Sequence, residues 1–167
     1  MAGQSVVEVN RRPIHAPLNA FETADHALGR STRPPASSAS WVLPLSPAKW
    51  AFCFASGMDN LPTVRAGAGF DTKTWGEIQV PLSWELEGHG QPIYTNIRYP
   101  FPLDPPRVPA GMNQIGSYQT NFVVPSAWNG RRVFLQLDGV DLACTVWING
   151  VEVGYSQDSR SYPPSLR

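Results

Sequence analysis

Two short segments of this chain combine aromatic rings with small hydrogen-bonding side chains. The first runs from Pro92 to Phe101 and the second from Gly154 to Arg160. An aromatic face packs well against the apolar CH face of a sugar, and amides, hydroxyls and carboxylates can pair with sugar hydroxyl groups. The two segments therefore indicate a carbohydrate ligand.

The overall composition argues against several other classes of partner. Lys and Arg total 13, as do Asp and Glu, so the formal net charge is zero, whereas a nucleic-acid-binding domain usually has a basic excess. No apolar run approaches the roughly 18–20 residues of a membrane span, and the N-terminus lacks the basic and apolar stretches of a secretory signal. We expect a cytoplasmic protein with no nucleic-acid or membrane partner. A neutral, aromatic-rich chain suits a sugar or another protein surface.

The remaining reactive residue types do not form a catalytic or metal-binding pattern. Cys53 and Cys144 lie far apart, each inside an apolar run, which predicts buried free thiols, although a disulfide between them stays open. Glu85 and Glu87 are close neighbours in a loop, whereas a retaining glycosidase needs two carboxyl groups about 5–5.5 Å apart on a rigid frame. The histidines without metal-ligand spacing are His15, His26 and His89. We expect no catalytic residue in this chain.

Short alternating runs bounded by glycine and proline predict an all-β fold. The Asn149-Gly150 pair between two such runs supplies the positive-φ residues of a type I′ hairpin. Regular short strands of this kind are typical of an antiparallel sandwich or jelly roll. The predicted strands are Trp50–Ala55, Trp75–Val80, Ser117–Val124, Arg132–Asp138, Ala143–Ile148 and Val151–Tyr155.

The strands begin only after a first section of different character. Residues 1–40 read as an irregular leader or linker with one short helical turn between Phe21 and Leu28. Residues 41–167 form the predicted β-domain. Within it, the proline-rich segment from Leu82 to Ala110 fits neither a helix nor a central strand, so we expect a long ordered loop. Trp84 in this loop and Trp147 in a strand are predicted to have structural and core roles.

Several motifs resemble the N-terminal jelly-roll sugar-binding domain of the cytoplasmic-type β-galactosidases of glycoside hydrolase family 2. They are spread over most of the chain, and the two polar-aromatic segments are the most specific of them. The motifs are Val7–Arg11 with His15–Pro17, Trp50–Phe52, Trp75–Trp84, Pro92–Asn96 with Tyr99–Phe101, Trp147–Gly150 and Gly154–Arg160.

This resemblance implies a role for two residues. In the family, the Asn of the Tyr-Thr-Asn element reaches the galactose pocket, which implies that role for Asn96. The Asp of the Gln-Asp-Ser element contacts galactose hydroxyls and a sodium ion, which implies both roles for Asp158, with the other sodium ligands outside this chain. The family also implies magnesium for the full-length enzyme, a β-galactoside substrate such as lactose, contacts with the remaining enzyme domains and a homo-oligomer.

The sequence departs from the family pattern at two places, and alternatives stay open because of this. Asp141–Cys144 replaces the family's usual Ser-Ala-Phe region, and Ser161–Arg167 does not match the strands that complete the jelly roll. We therefore expect a fragment truncated at its C-terminus. Both catalytic glutamates of the family lie on a barrel that this chain lacks, so we expect no hydrolysis by the chain alone. The alternatives are a freestanding lectin-like galactose-binding module and an inactive truncated product.

Overall fold

A computed structural model describes residues 8–13, 23–28, 41–60, 71–92, 101–104, 107–157 and 165–166. The longest helical segments in these ranges have four residues, including α1 (Ala24–Ala27), which confirms the predicted helical turn. None of the described helices is long and apolar enough to cross a membrane. The strands are β1 (Glu8–Val9), β2 (Ala48–Ala55), β3 (Gly76–Val80), β4 (Ile115–Gln119), β5 (Leu135–Gln136), β6 (Cys144–Ile148), β7 (Val151–Ser156) and β8 (Ser165–Leu166). The predicted all-β class is confirmed.

The chain divides into two compact units. The first contains Met1–Pro44, Ala66–Ala68 and Val123–Arg167, and the second contains Leu45–Arg65 and Gly69–Phe122. All described strand pairs are antiparallel. The second unit holds the sheet β3-β2-β4, and the first holds the sheet β1-β7-β6 together with the pair β5-β8.

The second unit is organised around the central strand β2. Alternation along β2 places Phe52 and Phe54 on one face of the sheet, where Phe52 lies opposite Tyr118 of β4. Phe52 and Ile78 of β3 are almost completely buried, at 2% and 1% exposure. The Phe52 ring centroid lies 4.8 Å from that of Tyr118. Burial of these large apolar side chains is the main stabilising contribution in this unit.

The same sheet face is covered by a tight turn from the predicted loop. Residues Trp84–Glu87 form a 3-10 turn, and Gly88 ends it in the left-handed conformation. The Trp84 indole lies 6.3 Å from the Phe52 ring and lies over Gly116 of β4. The described residues of the predicted loop between Leu82 and Ala110 contain turns and one isolated bridge but no strand, as expected.

The first unit contains the predicted hairpin between β6 and β7. Asn149 and Gly150 both have positive φ, 50° and 83°, as a type I′ turn requires. The register shifts after Val146, which pairs with Gly154, whereas the next residue pairs with Glu152. Val153 is therefore the extra residue of a β-bulge in β7. The short strand β1 pairs with the other edge of β7.

Several details differ from the sequence predictions. Residues 161–167 do not match the family's strands, yet Ser165–Leu166 pairs with Leu135–Gln136 as β8. The strand predicted to run to Val124 ends at Gln119. The residues after it are described but are not paired in a strand, and Val123 is 85% exposed. Of the strand predicted at 132–138, only Leu135–Gln136 pairs. Trp147 was expected in the core but is 42% exposed, because its position in β6 points away from the more buried face. Both cysteines are free, as expected, but only partly buried.

Candidate functional site

Both predicted sugar contacts, Asn96 and Asp158, lie outside the described residues. The structure describes the segments that lead to them. β7 ends at Ser156, and Gln157 directly precedes Asp158. The loop over the β2–β4 face is described up to Pro92, shortly before Asn96. The segment that ends at Gln157 and the loop that ends at Pro92 are the described approaches to these two residues.

The approach to Asp158 is fixed by contacts on both sides of β7. Tyr155 donates its hydroxyl hydrogen to Oε1 of Gln157 across 2.7 Å. Gly154 and Ser156 are buried, and Ser156 pairs with Cys144 of β6 on one side and with Glu8 of β1 on the other. Strand neighbours on both edges therefore restrain the backbone up to Ser156, and the Tyr155 hydrogen bond restrains the side chain of Gln157.

The buried end of β7 contains a small polar cluster. The Arg11 side chain is only 4% exposed, and its Nη1 lies 3.7 Å from Oε2 of Glu8. Burial raises the pKa of the Cys144 thiol, while the Ser156 backbone N–H and the Arg11 charge lower it by smaller amounts. The Oγ of Ser156 is buried with no hydrogen-bond partner in the described structure. A positive charge therefore lies buried close to the last residues of β7.

The approach to Asn96 is fixed by the aromatic cluster of the second unit. His89 donates its backbone N–H to the Trp84 carbonyl across 3.1 Å, and its ring lies 4.8 Å from Phe52. Tyr118 lies at the edge of this cluster, and its pKa is raised first by burial and then by the negative charge of Glu85. These contacts anchor the loop to the sheet shortly before it reaches the polar-aromatic segment. Trp84 thus has the structural role predicted for it.

The described residues contain no group of three His, Cys, Asp or Glu side chains arranged to hold a metal ion. Glu85 and Glu87 both belong to the 3-10 turn at Trp84–Glu87. The expectation that these two carboxylates are not catalytic stays a prediction.

The sequence interpretation missed the contribution of the leader. The sequence predicts an irregular segment over residues 1–40, yet Glu8 and Val9 pair with β7, the strand that leads to Asp158, and Asn10 donates a hydrogen bond to Val153 of that strand. A two-residue strand such as β1 leaves no recognisable periodicity. The only signal in the sequence was that Val7–Arg11 belongs to the motifs of the family resemblance.

Comparison with known proteins gives a consistent result. Residues 47–164 match the family described as glycosyl hydrolases family 2, sugar binding domain. The chain is also similar to curated proteins named beta-galactosidase. The relative from Psychromonas ingrahamii is 41% identical over 94% of this chain and 14% of its own length. Those from Alteromonas mediterranea and Priestia megaterium are 36% and 34% identical over 93% and 92% of this chain. The chain spans 14–15% of the length of these relatives.

Proposed function

Because the chain belongs to the sugar-binding domain family of glycosyl hydrolases family 2, we propose that it is the sugar-binding domain of an enzyme that hydrolyses terminal β-D-galactosides such as lactose. The match to an N-terminal sugar-binding domain confirms the resemblance noted from the motifs. The observation that carries the proposal is the 41% identity to a beta-galactosidase over 94% of this chain.

In this proposal, Asn96 and Asp158 form one wall of the galactose subsite. An amide offers one donor and one acceptor to a sugar hydroxyl, and an ionised carboxylate accepts strong hydrogen bonds from neighbouring hydroxyls. Contacts within the described residues restrain the chain before each of these two positions. The Trp84–His89 turn is anchored on Phe52 before Asn96, and β7 is paired on both edges before Asp158.

We also propose that Asp158 contributes one oxygen ligand to a sodium ion. A carboxylate oxygen is a hard donor, which is the donor type that hard cations prefer in proteins. The remaining sodium ligands, the magnesium site and the catalytic carboxylates would come from sequence outside this chain. A homo-oligomeric enzyme in the cytoplasm completes the proposal.

A chimera tests this function in a complete enzyme. The matched segment of the Psychromonas ingrahamii beta-galactosidase would be replaced by this chain, and hydrolysis of a chromogenic β-galactoside would be measured. We expect the chimera to hydrolyse the substrate and the same relative without its matched segment to lose activity. The chain alone should not hydrolyse it.

Two variants separate a sugar-binding role from a merely structural one. Asp158→Asn removes the charge with little change of shape, and Asp141→Asn makes the same change at an exposed position of the first unit. We expect KM to rise in the first variant only. An inactive but folded and correctly assembled chimera would refute the proposed function. Saturable galactose binding by the chain alone, combined with an inactive chimera, would instead favour a freestanding lectin-like module.

A further inference from the structure

The leader segment 8–12 contacts β7, the strand that leads to Asp158. Glu8 and Val9 pair with Ser156 and Tyr155, which are the last two residues of β7. The Arg12 guanidinium then lies 4.6 Å from the centre of the Phe134 ring, within cation–π range. This segment, which we call the N-terminal clip, thus contacts other residues of the first unit through both of its ends.

The clip also contacts the bulge in β7. The side-chain Nδ2 of Asn10 donates to the backbone carbonyl of Val153 across 2.8 Å. Val153 is the extra residue of the bulge, and Asn10 adopts a positive φ of 55°. A bulge bends its strand and re-aims the side chains that follow it. By binding the bulge residue, the clip restrains the direction of the rest of β7 after the bulge.

Arg11 is the most buried part of the clip. Its side chain is 4% exposed and lies near Glu8 and close enough to Cys144 to influence the thiol electrostatically. Cys144 is the direct cross-strand neighbour of Ser156. A buried guanidinium is costly to desolvate and restricts the groups around it to a narrow range of positions, because each must compensate its charge or donor groups. Arg11 is therefore suited to fix the end of β7.

We propose that Arg11, held in the N-terminal clip, is a positioning residue for the end of β7, from which the chain continues to Asp158 of the proposed sugar site. The inference rests on the proposed function. It adds a specific role for the leader, which acts on the galactose subsite through the end of β7 and does not touch the sugar itself. In this view the Tyr155–Gln157 hydrogen bond restrains the end of β7 from within the strand, and Arg11 restrains it from the β1 side through Glu8, which pairs with Ser156.

Amide hydrogen exchange in the full 167-residue chain tests the positioning directly. Arg11→Met keeps the length of the side chain but removes its charge, and Arg11→Lys keeps the charge but not the planar guanidinium. Arg131→Met is the matched control, since Arg131 is exposed and its guanidinium lies 4.0 Å from the centre of the Trp41 ring, which is not a residue of the clip. We expect exchange at the Tyr155, Ser156 and Gln157 amides to accelerate about tenfold in Arg11→Met, with an intermediate effect in Arg11→Lys.

The pattern of exchange decides between a local and a global role. The Asn149–Gly150 end of the hairpin and the β2–β4 amides should exchange as in the unmodified chain, and Arg131→Met should change none of these amides. Unchanged exchange at the end of β7 in Arg11→Met would overturn the proposal. Equal acceleration throughout the chain would also overturn it, since Arg11 would then only stabilise the fold.

The galactoside-hydrolysing chimera supplies the functional readout. We expect Arg11→Met to raise KM about tenfold, Arg11→Lys to restore part of the loss, and Arg11→Met to have no further effect in the Asp158→Asn background. Equal effects of Arg11→Met in both backgrounds would contradict positioning through Asp158. If Asp158→Asn left KM unchanged, the proposed sugar contact would fail, while the exchange experiment would still decide whether Arg11 fixes the strand end.

Discussion

Gly116 offers the sharpest test of how the loop leading to Asn96 is attached. A Cβ placed on Gly116 would lie 2.5 Å from Cε3 of Trp84 and 3.0 Å from Cε2 of Phe52. Real Cβ atoms do not approach carbon so closely, so Gly116→Ala must displace the indole or the strand. Overpacking of this kind costs about 1–3 kcal/mol.

The loss of stability can be measured by urea unfolding followed by far-ultraviolet circular dichroism. With a urea slope of about 2 kcal/mol/M, a loss of about 2 kcal/mol lowers the unfolding midpoint by about 1 M. Gly139→Ala is the matched control, because nothing lies within 4 Å of its built Cβ. We expect this control to be neutral or slightly stabilising, since alanine restricts the unfolded chain more than glycine.

A double-mutant cycle shows whether the Trp84 contact is the cause. In a Trp84→Ala background the obstructing ring is absent, so Gly116→Ala should cost less than in the unmodified chain. An interaction of at least about 0.5 kcal/mol is expected for residues in direct contact. An equal loss of stability in both backgrounds, or a Gly116→Ala variant as stable as the unmodified chain, would refute the argument that the Trp84 indole packs directly against Gly116.

Three further predictions follow from individual contacts. Asn10→Gly should lower the free energy of unfolding by about 1 kcal/mol, because the hydrogen bond to Val153 is lost. Asn10→Ala should lower it by about 1–2 kcal/mol more, because a positive φ is unfavourable for alanine; urea unfolding measures both. The raised pKa of Tyr118 means that its stabilising contribution is complete below the ordinary pKa and is lost as pH rises through the folded-state value. Glu85→Gln should remove only part of this upward shift in the pKa, because burial is the larger cause. A titration followed by phenolate absorbance measures the shift, and the Tyr118→Phe variant identifies which part of the signal comes from Tyr118. Alkylation of Cys144 should be slower in the folded than in the denatured chain, because burial raises its pKa and limits access, which mass spectrometry of the labelled chain would measure. Equal labelling rates would contradict this.

Local sequence rules predicted those parts of the fold in which the residue type alone determines the backbone. Asn149-Gly150 is such a case, since few other pairs accept two positive φ angles. The central strand β2 was also predicted, because alternating aromatic and small residues suit a strand with one covered face. Strand ends were less predictable. The apolar alternation continues to Val124, but a strand requires a partner as well as a pattern, and pairing stops at Gln119.

The support of the site depends on contacts between residues distant in the sequence. Asn10 and Val153 are separated by 143 positions, and no local pattern in the leader predicts this contact. The exposure of Trp147 was also unpredictable, because alternation defines two strand faces without showing which one is buried. By contrast, the two polar-aromatic segments were recognisable from their residue types.

The KM of the chimera with and without the Asp158 carboxylate is the most direct measurement of the central claim, that this chain supplies one wall of a galactose subsite. We expect Asp158→Asn to raise KM for the β-galactoside by at least about tenfold, as loss of a charge-assisted hydrogen bond predicts, while Asp141→Asn leaves it unchanged. The same KM in Asp158→Asn as in the unmodified chimera would contradict the account.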